Sequence, residues 1–461
     1  MSTREEGAPS PLVETRDDLA GWIAAGEKPK ERWRIGTEHE KFVFKTGTLL
    51  PVPYDGPAGI RALMQQLIHR YGWVPIQEGD NIIALKRPES EPLGGNISLE
   101  PGGQFELSGA PLQSLHETAA ETQKHLREVL DVGEDLAIGF LGVGFSPKWH
   151  LAEVPHMPKQ RYGVMTRYMP QVGARGLDMM YRTATVQVNL DFANEADMVK
   201  KLRVSLALQP VATALFASSP FTEGKPNGFQ SMRSEVWRDT DKRRTGMLPF
   251  AFESGMGYER YADYALDVPM YFVYRGGKYI DVAGSSFRDF LGGRLKGLEG
   301  MRPTVDDWSD HLTTLFPEVR LKRFLEMRGA DGGRWNSITA LPAFWTGLLY
   351  DADALEGAWH LVKDWTAAER EDLRNAVPKT ALATPFRGTQ LAEIAREAVG
   401  LSRLGLKNRK RINAKSQDET MYLAPLEVIA GQGHTVSDEL LARFHGPWKG
   451  NIDRIFDEFA F

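Results

Sequence analysis

Apolar residues recur along this chain in two rhythms, and the informative positions are those where the shorter rhythm admits charge. Between Pro57 and Tyr71 the apolar residues Ile60, Leu63, Met64, Leu67, Ile68 and Tyr71 fall on one helical face. Asp55 and Pro57 supply start signals and Gly72 a stop. Similar patterns predict helices over 112–130, 197–218, 352–375 and 388–404. Alternating or β-branched runs bounded by Gly, Pro or Asn/Asp predict strands over 33–44, 80–86, 96–108, 182–192, 269–282 and 319–328. Strands and helices intermingle without a regular βαβ repeat, so the expectation is α+β, a mostly antiparallel sheet with helices packed against it. Residues 221–249 show no clean period; their Met, Phe and Trp residues argue for an ordered, functional connection. The basic run from Lys407 to Lys415 lacks aromatic interleaving and reads as a solvated turn.

Four of the strand candidates carry acids or amides on one side. Period two places Glu38 and Glu40 together in RIGTEHEKF. In ISLEPGGQFELSG, Glu100 and Glu106 flank a Pro-Gly-Gly break, and Gln104 shares the face of Glu106. In TATVQVNLDF, Val186, Val188, Leu190 and Phe192 point one way while Thr185, Gln187, Asn189 and Asp191 point the other. In RLKRFLEMRG, Glu326 and Arg328 share a face if the segment is extended. A single such row is an ordinary wetted strand face. Four rows embedded in apolar sequence are harder to place in solvent. Carboxylates gathered on a buried face repel and have raised pKa values, and divalent cations relieve both effects. His39, on the opposite side of its strand from Glu38 and Glu40, reads as structural.

Composition narrows the chemistry. The chain has no cysteine, which removes disulfides, thiolate metal sites and a cysteine nucleophile. The donors left are oxygens, which suit Mg²⁺ or Mn²⁺ rather than Zn²⁺. Such a cluster can hold ions that bridge nucleotide phosphates. A net charge of −5 and the lack of a basic–aromatic array disfavour nucleic acid. No apolar run approaches the roughly 18 residues of a membrane span. The opening MSTREEGAPS lacks the apolar centre of a signal peptide, so the expected location is cytoplasmic. There is no G-x-x-x-x-G-K-[ST] loop and no G-x-S-x-G elbow, and the Gly-rich pieces at 102–104 and 329–333 read as turns.

The strings IGTEHEKF, SLEPGGQFELSGAP, MPKQRYGVM, GLDMMYRTATVQVNLDF, DTDKRRTGMLPF and FPEVRLKRFLEMRGADGG resemble the plant-type glutamate–cysteine ligases of plants and many proteobacteria. The likeness runs from about residue 15 to the C-terminus and is tightest over 95–350. It implies a flexible segment over 1–14, then one catalytic domain over 15–461 with a glutamine-synthetase-like fold. In that fold a curved, mostly antiparallel sheet forms the active-site funnel. The implied reaction joins the γ-carboxylate of glutamate, through γ-glutamyl phosphate, to the amine of cysteine at the expense of ATP, the first step of glutathione biosynthesis. Two or three Mg²⁺ ions, or Mn²⁺, would be held by Glu38, Glu40, Glu100, Glu106, Gln187 and Glu326. Glu326 and Arg328 match the catalytic pair, with Arg328 also contacting the transferred phosphate. Arg161, Arg233, Trp237 and Tyr271 match residues that grip glutamate. Partners are thus small molecules; monomer and homodimer stay open. Two alternatives share the scaffold: a ligase with another acceptor amine, and a non-catalytic ATP- or metal-binding regulator. Plant members carry regulatory disulfides, whereas the corresponding stretches here, TATVQ, YIDVAG and SITALPAF, hold no thiol.

Overall fold

The computed structural model describes residues 10–88, 90, 91 and 94–461. Its centre is a nine-stranded sheet whose ladders are all antiparallel. The strands are β1 (Ile35–Lys45), β2 (Val74–Glu78), β3 (Asn81–Lys86), β4 (Asn96–Leu99), β5 (Phe105–Ser108), β6 (Ile138–Leu141), β7 (Thr185–Leu190), β8 (Val319–Leu321) and β9 (Leu325–Asp331). They lie in the order β8-β9-β7-β1-β5-β4-β3-β2, with β6 paired to the far end of β1. Three expected strands are really hairpins or pairs. Pro101-Gly102-Gly103 divides β4 from β5, residues 322–324 turn β8 into β9, and Gly276-Gly277 splits 269–282 into a separate two-stranded unit. Strand β9 pairs with β7 in two registers, Met327 opposite Val188 and Ala330 opposite Val186. Three steps on one strand answer two on the other, so Arg328-Gly329 forms a bulge.

The apolar row of β7 is wholly buried, with Val186, Val188 and Leu190 at 0% exposure. Against that side pack α2 (Leu115–Leu136), α4 (Glu195–Leu215) and α6 (Trp335–Leu349), while α1 (Ile60–Tyr71) lies on α2. Local signals set their ends. Ser114 and Glu117 close a capping box on α2, Asn194 caps α4, and Gly72 ends α1 in the left-handed conformation. Helix α1 starts at Ile60, after a turn through 55–59 that the sequence reading had included in it. Two short helices stand by the polar side, α3 (Gln160–Tyr168) and α5 (Met232–Trp237), the latter inside the irregular stretch 221–249. The helix predicted over 352–375 is two, broken before Ala367. Lys407 to Arg409 finish α7 (Leu391–Arg409) instead of opening a turn.

Residues 1–9 lie outside the described residues, so most of the segment 1–14 is not described. Its last part is tied down: Val13 is buried and donates its N–H to Pro303 at 2.9 Å. His39 sits on the core side of β1 against His125, as its strand position requires. Lys41 lies beside it, 3.2 Å from His39 Nδ1, and burial pulls its ammonium down to about 7.

Helices α6 and α7 cross through glycines. A Cβ at Gly405 would collide with the carbonyl of Gly347, and one at Gly347 with Ser402, whereas Gly400 in the same helix has open space. Gly405→Ala should therefore destabilise by about 1–3 kcal/mol or more through overpacking, and Gly400→Ala should stabilise by up to about 1 kcal/mol through helix propensity. Urea midpoints of the two variants check this; equal shifts would contradict the close helix contact.

Candidate active site

Register brings the polar residues together. Glu40 is directly opposite Glu106, which is opposite Ser98; Glu38 is opposite Gln187; and Asn189 is opposite Glu326, which is opposite Arg320. One face of six adjacent strands thus carries a continuous polar row. The row floors an open pocket of about 760 Å³. Glu38, Glu40, Glu100, Glu106, Gln187 and Arg328 line it from the sheet, Arg161 from α3, and Arg233 and Trp237 from α5. Met165, Met179 and Met180 give it an apolar wall.

Its two ends differ electrically. On the β1–β5–β4 side the carboxylates have few cations. Burial, then the charges of Glu100 and Glu106, hold the Glu40 carboxyl well above the ordinary range. Burial, then Glu106, pushes Glu100 up to about 8. Glu106 accepts from the hydroxyls of Ser98 and Ser108, Glu38 from Asn189 at 2.9 Å, and Glu40 from the Thr185 N–H at 3.0 Å. Glu100 Oε1 is buried with no partner.

The β8–β9 side is cationic. Burial alone would raise the Glu326 carboxyl, but Arg320, Lys322 and Arg328 around it hold it well below the usual range. Arg320 binds it bidentately, with Nη2 2.7 Å from Oε1 and Nε 3.1 Å from Oε2. Arg328 donates to Glu326 Oε1 and, at 2.6 Å, to Gln187 Oε1. Arg233 Nη2 donates to the Arg328 carbonyl at 2.9 Å. Trp237 and Phe316 are in edge contact 5.6 Å apart; Trp237 stands beside both guanidinium groups and Phe316 beside that of Arg328. Among the described residues, three donors at the pocket remain without partners: Arg161 Nε, Arg233 Nε and Trp237 Nε1. Buried unpaired donors are unfavourable, and the acceptor oxygens of a bound carboxylate would satisfy them.

The structure sets two of the expected residues apart from the rest. Tyr271 does not reach the pocket: its ring lies under Arg244, 3.9 Å from the guanidinium, and its hydroxyl donates to Met169 Sδ at 3.5 Å. It is buried, and the two-stranded unit that follows it is separate from the main sheet. Glu326, expected among the metal donors, has both oxygens engaged by arginines. Among the described residues no three carboxylates or histidines already stand at metal-ligating spacing. The orphaned oxygen of Glu100 and the repulsion among Glu40, Glu100 and Glu106 nevertheless fit a hard dication. Arg320 was missed by the sequence reading because 319–328 was taken as one strand. Read as a hairpin, the same residues set Arg320 opposite Glu326.

An antiparallel sheet with a carboxylate floor and a roof of arginines defines an α+β enzyme of the glutamine-synthetase-like fold, built for ATP-dependent carboxylate activation. A solved glutamate–cysteine ligase from Francisella tularensis, in complex with AMP, shares the fold at TM-score 0.52 and 12% identity, over 94% of this chain and 89% of that one. The profile of glutamate–cysteine ligase family 2 matches residues 34–458, and the chain belongs to that family. Chloroplastic glutamate–cysteine ligases of Nicotiana tabacum and Arabidopsis thaliana are each 55% identical to it over 447 residues, covering 97% of this chain and 83% of theirs. The names of those relatives place them in the chloroplast, which overturns the cytoplasmic location expected above. Neither a cysteine count nor a polar opening decade carries that kind of information. Among the described residues, no helix is long and apolar enough to cross a membrane.

The contrast between the two ends predicts opposite stability effects. Glu326→Gln leaves buried Arg320 and half-buried Lys322 and Arg328 short of their counter-charge and should lower stability by about 3–5 kcal/mol. Glu100→Gln removes a carboxylate that burial and Glu106 disfavour and that has one unpartnered oxygen, and should leave the denaturation midpoint unchanged or higher. A larger loss in Glu100→Gln than in Glu326→Gln would contradict this division of the pocket.

Proposed function

We infer that the chain is an ATP-dependent glutamate–cysteine ligase. Phosphoryl transfer from ATP to the γ-carboxylate of glutamate gives γ-glutamyl phosphate and ADP, and the cysteine amine then displaces phosphate to form the amide. Family membership supplies the reaction, and the observation that carries its placement is the set of unpartnered donors beside a carboxylate row. The residues follow from the charges that must be accommodated. A carboxylate is a poor acceptor of amines until an oxygen is phosphorylated, and the transfer crowds several anionic oxygens together. Arg233 and Arg161, buried with free Nε–H groups, are placed to pair with substrate carboxylates, and Trp237 offers its indole N–H. Arg328, aimed by Glu326 and Gln187, stabilises charge on the moving phosphoryl group without reorganising. Burial keeps water from competing for these donors.

Glu38, Glu40, Glu100, Glu106, Gln187 and Glu326 are the donors this reading assigns to Mg²⁺ or Mn²⁺; Gln187 and Glu326 would join only by releasing Arg328, and Glu326 by loosening Arg320 as well. When bound, the ions neutralise the triphosphate. Residues 15–461 act in this reading as one catalytic domain.

Phosphate released from MgATP by the purified chain tests the reaction. Release should need both glutamate and cysteine and stop with EDTA. Release with glutamate and alanine, 2-aminobutyrate or a polyamine in place of cysteine would move the chain to a related ligase, and no release at all would favour the regulator. Arg233→Lys, which keeps charge but loses the planar fork, should raise the KM for glutamate by about ten- to a hundredfold and leave that for ATP nearly unchanged. Equal changes in both would tell against a glutamate clamp.

A further inference from the structure

Asp331 is wholly buried at the end of β9, outside the pocket lining, and nothing above gives it a role. The bulge at Arg328-Gly329 reverses the alternation of the strand, so Asp331 pairs with Thr185 and shares the sheet face of Glu326 although five residues separate them. Its carboxylate is saturated by one short stretch of chain. Oδ2 accepts from the Ser218 N–H at 2.9 Å and the Ser219 hydroxyl at 2.6 Å; Oδ1 accepts from the Ser231 hydroxyl at 2.6 Å.

Both hydroxyls pass the restraint on to α5. Ser231 is the N-cap of that helix and accepts from the Ser234 N–H at 3.1 Å. Ser219 accepts from the N–H of Arg233 itself at 3.3 Å. An anionic group at the start of a helix is also favoured by the helix dipole. Room for the carboxylate is reserved on its other side, where a Cβ at Gly144 would collide with it.

We propose that Asp331 is a positioning residue for glutamate binding, a clamp that fixes the helix bearing Arg233 and Trp237 to the strand bearing Arg328. The two arginines approach the pocket from different elements, and the Arg233–Arg328 carbonyl bond ties only the tip of a long side chain. The serine–aspartate clamp instead fixes the Arg233 backbone. A shift of about 1 Å in a binding group can lose about a hundredfold in rate, so α5 needs a restraint of this kind. The proposal rests on the assignment of Arg233 to glutamate.

Steady-state KM values for glutamate and MgATP on the full chain test it, for Asp331→Asn, Ser219→Ala, Ser219→Thr and the Asp331→Asn/Ser219→Ala double variant, beside Arg233→Lys. Asp331→Asn and Ser219→Ala should each raise the glutamate KM by about ten- to a hundredfold, with the ATP KM within about twofold of the parent. Ser219→Thr, which keeps the hydroxyl, should restore most of the loss, and the double variant should be little worse than Asp331→Asn alone. Should Asp331→Asn fail to fold, the Ser219 pair carries the test by itself. Glutamate and ATP KM values rising together, or Ser219→Thr no better than Ser219→Ala, would mean general loosening and overturn the clamp. A raised glutamate KM in Arg233→Lys with none in the clamp variants sinks the clamp alone; an unchanged KM in Arg233→Lys sinks the assignment of Arg233 and the clamp with it.

Discussion

Glu40 and Glu106 stand opposite one another on neighbouring strands in the interior of the sheet, with Glu100 close by. Like charges at that separation and burial repel, and every other feature of the pocket answers the problem they create. Hydroxyls of Ser98 and Ser108 and the amide of Asn189 soften the anionic end. The remaining field fits the divalent cations proposed for this end of the pocket. At the other end the sign reverses, with Arg320, Lys322 and Arg328 arranged about one carboxylate. The pocket is therefore a dipole on a rigid sheet, suited to a substrate that brings metal-bound phosphates to one end and free carboxylates to the other.

The parts legible in the sequence are those set by local rules. Alternation in TATVQVNLDF placed Gln187 and Asn189 opposite the valines, and the paired glutamates of β1 and β5 fell on the same side for the same reason. Helices α1, α2 and α7 announced themselves by a 3.6-residue period, whereas α4, although expected, is buried on nearly every side over its second half. Helix α6 did not, because it is apolar on nearly every side: Ile338 through Leu349 are all buried, and an all-buried helix has no polar face to show a period. Arg161 and Arg233 were reached through family resemblance alone. Both lie on short helices beside the sheet, and what places them there is long-range packing that no local spacing records.

Turns were the weakest link between sequence and site. Treating 319–328 as one strand hid the pairing of Arg320 with Glu326, and treating 269–282 as one strand hid the hairpin that follows Tyr271. Each error was a reversal read as a continuation. In a sheet where adjacent residues face opposite ways, a missed reversal misplaces a whole row of side chains.

The extra residue in β9 has a consequence for how this chain can change over generations. Ahead of the bulge the strand presents Glu326 and Arg328; beyond it, Asp331 has changed parity to stay on their side. Removing the bulged residue would restore regular alternation and leave the aspartate on that side, whereas adding one would turn it toward the hydrophobic layer. Loss of one residue here can therefore be sampled, but gain of one cannot. The stretch between Arg328 and Asp331 is thus expected to shorten sooner than it lengthens among descendants.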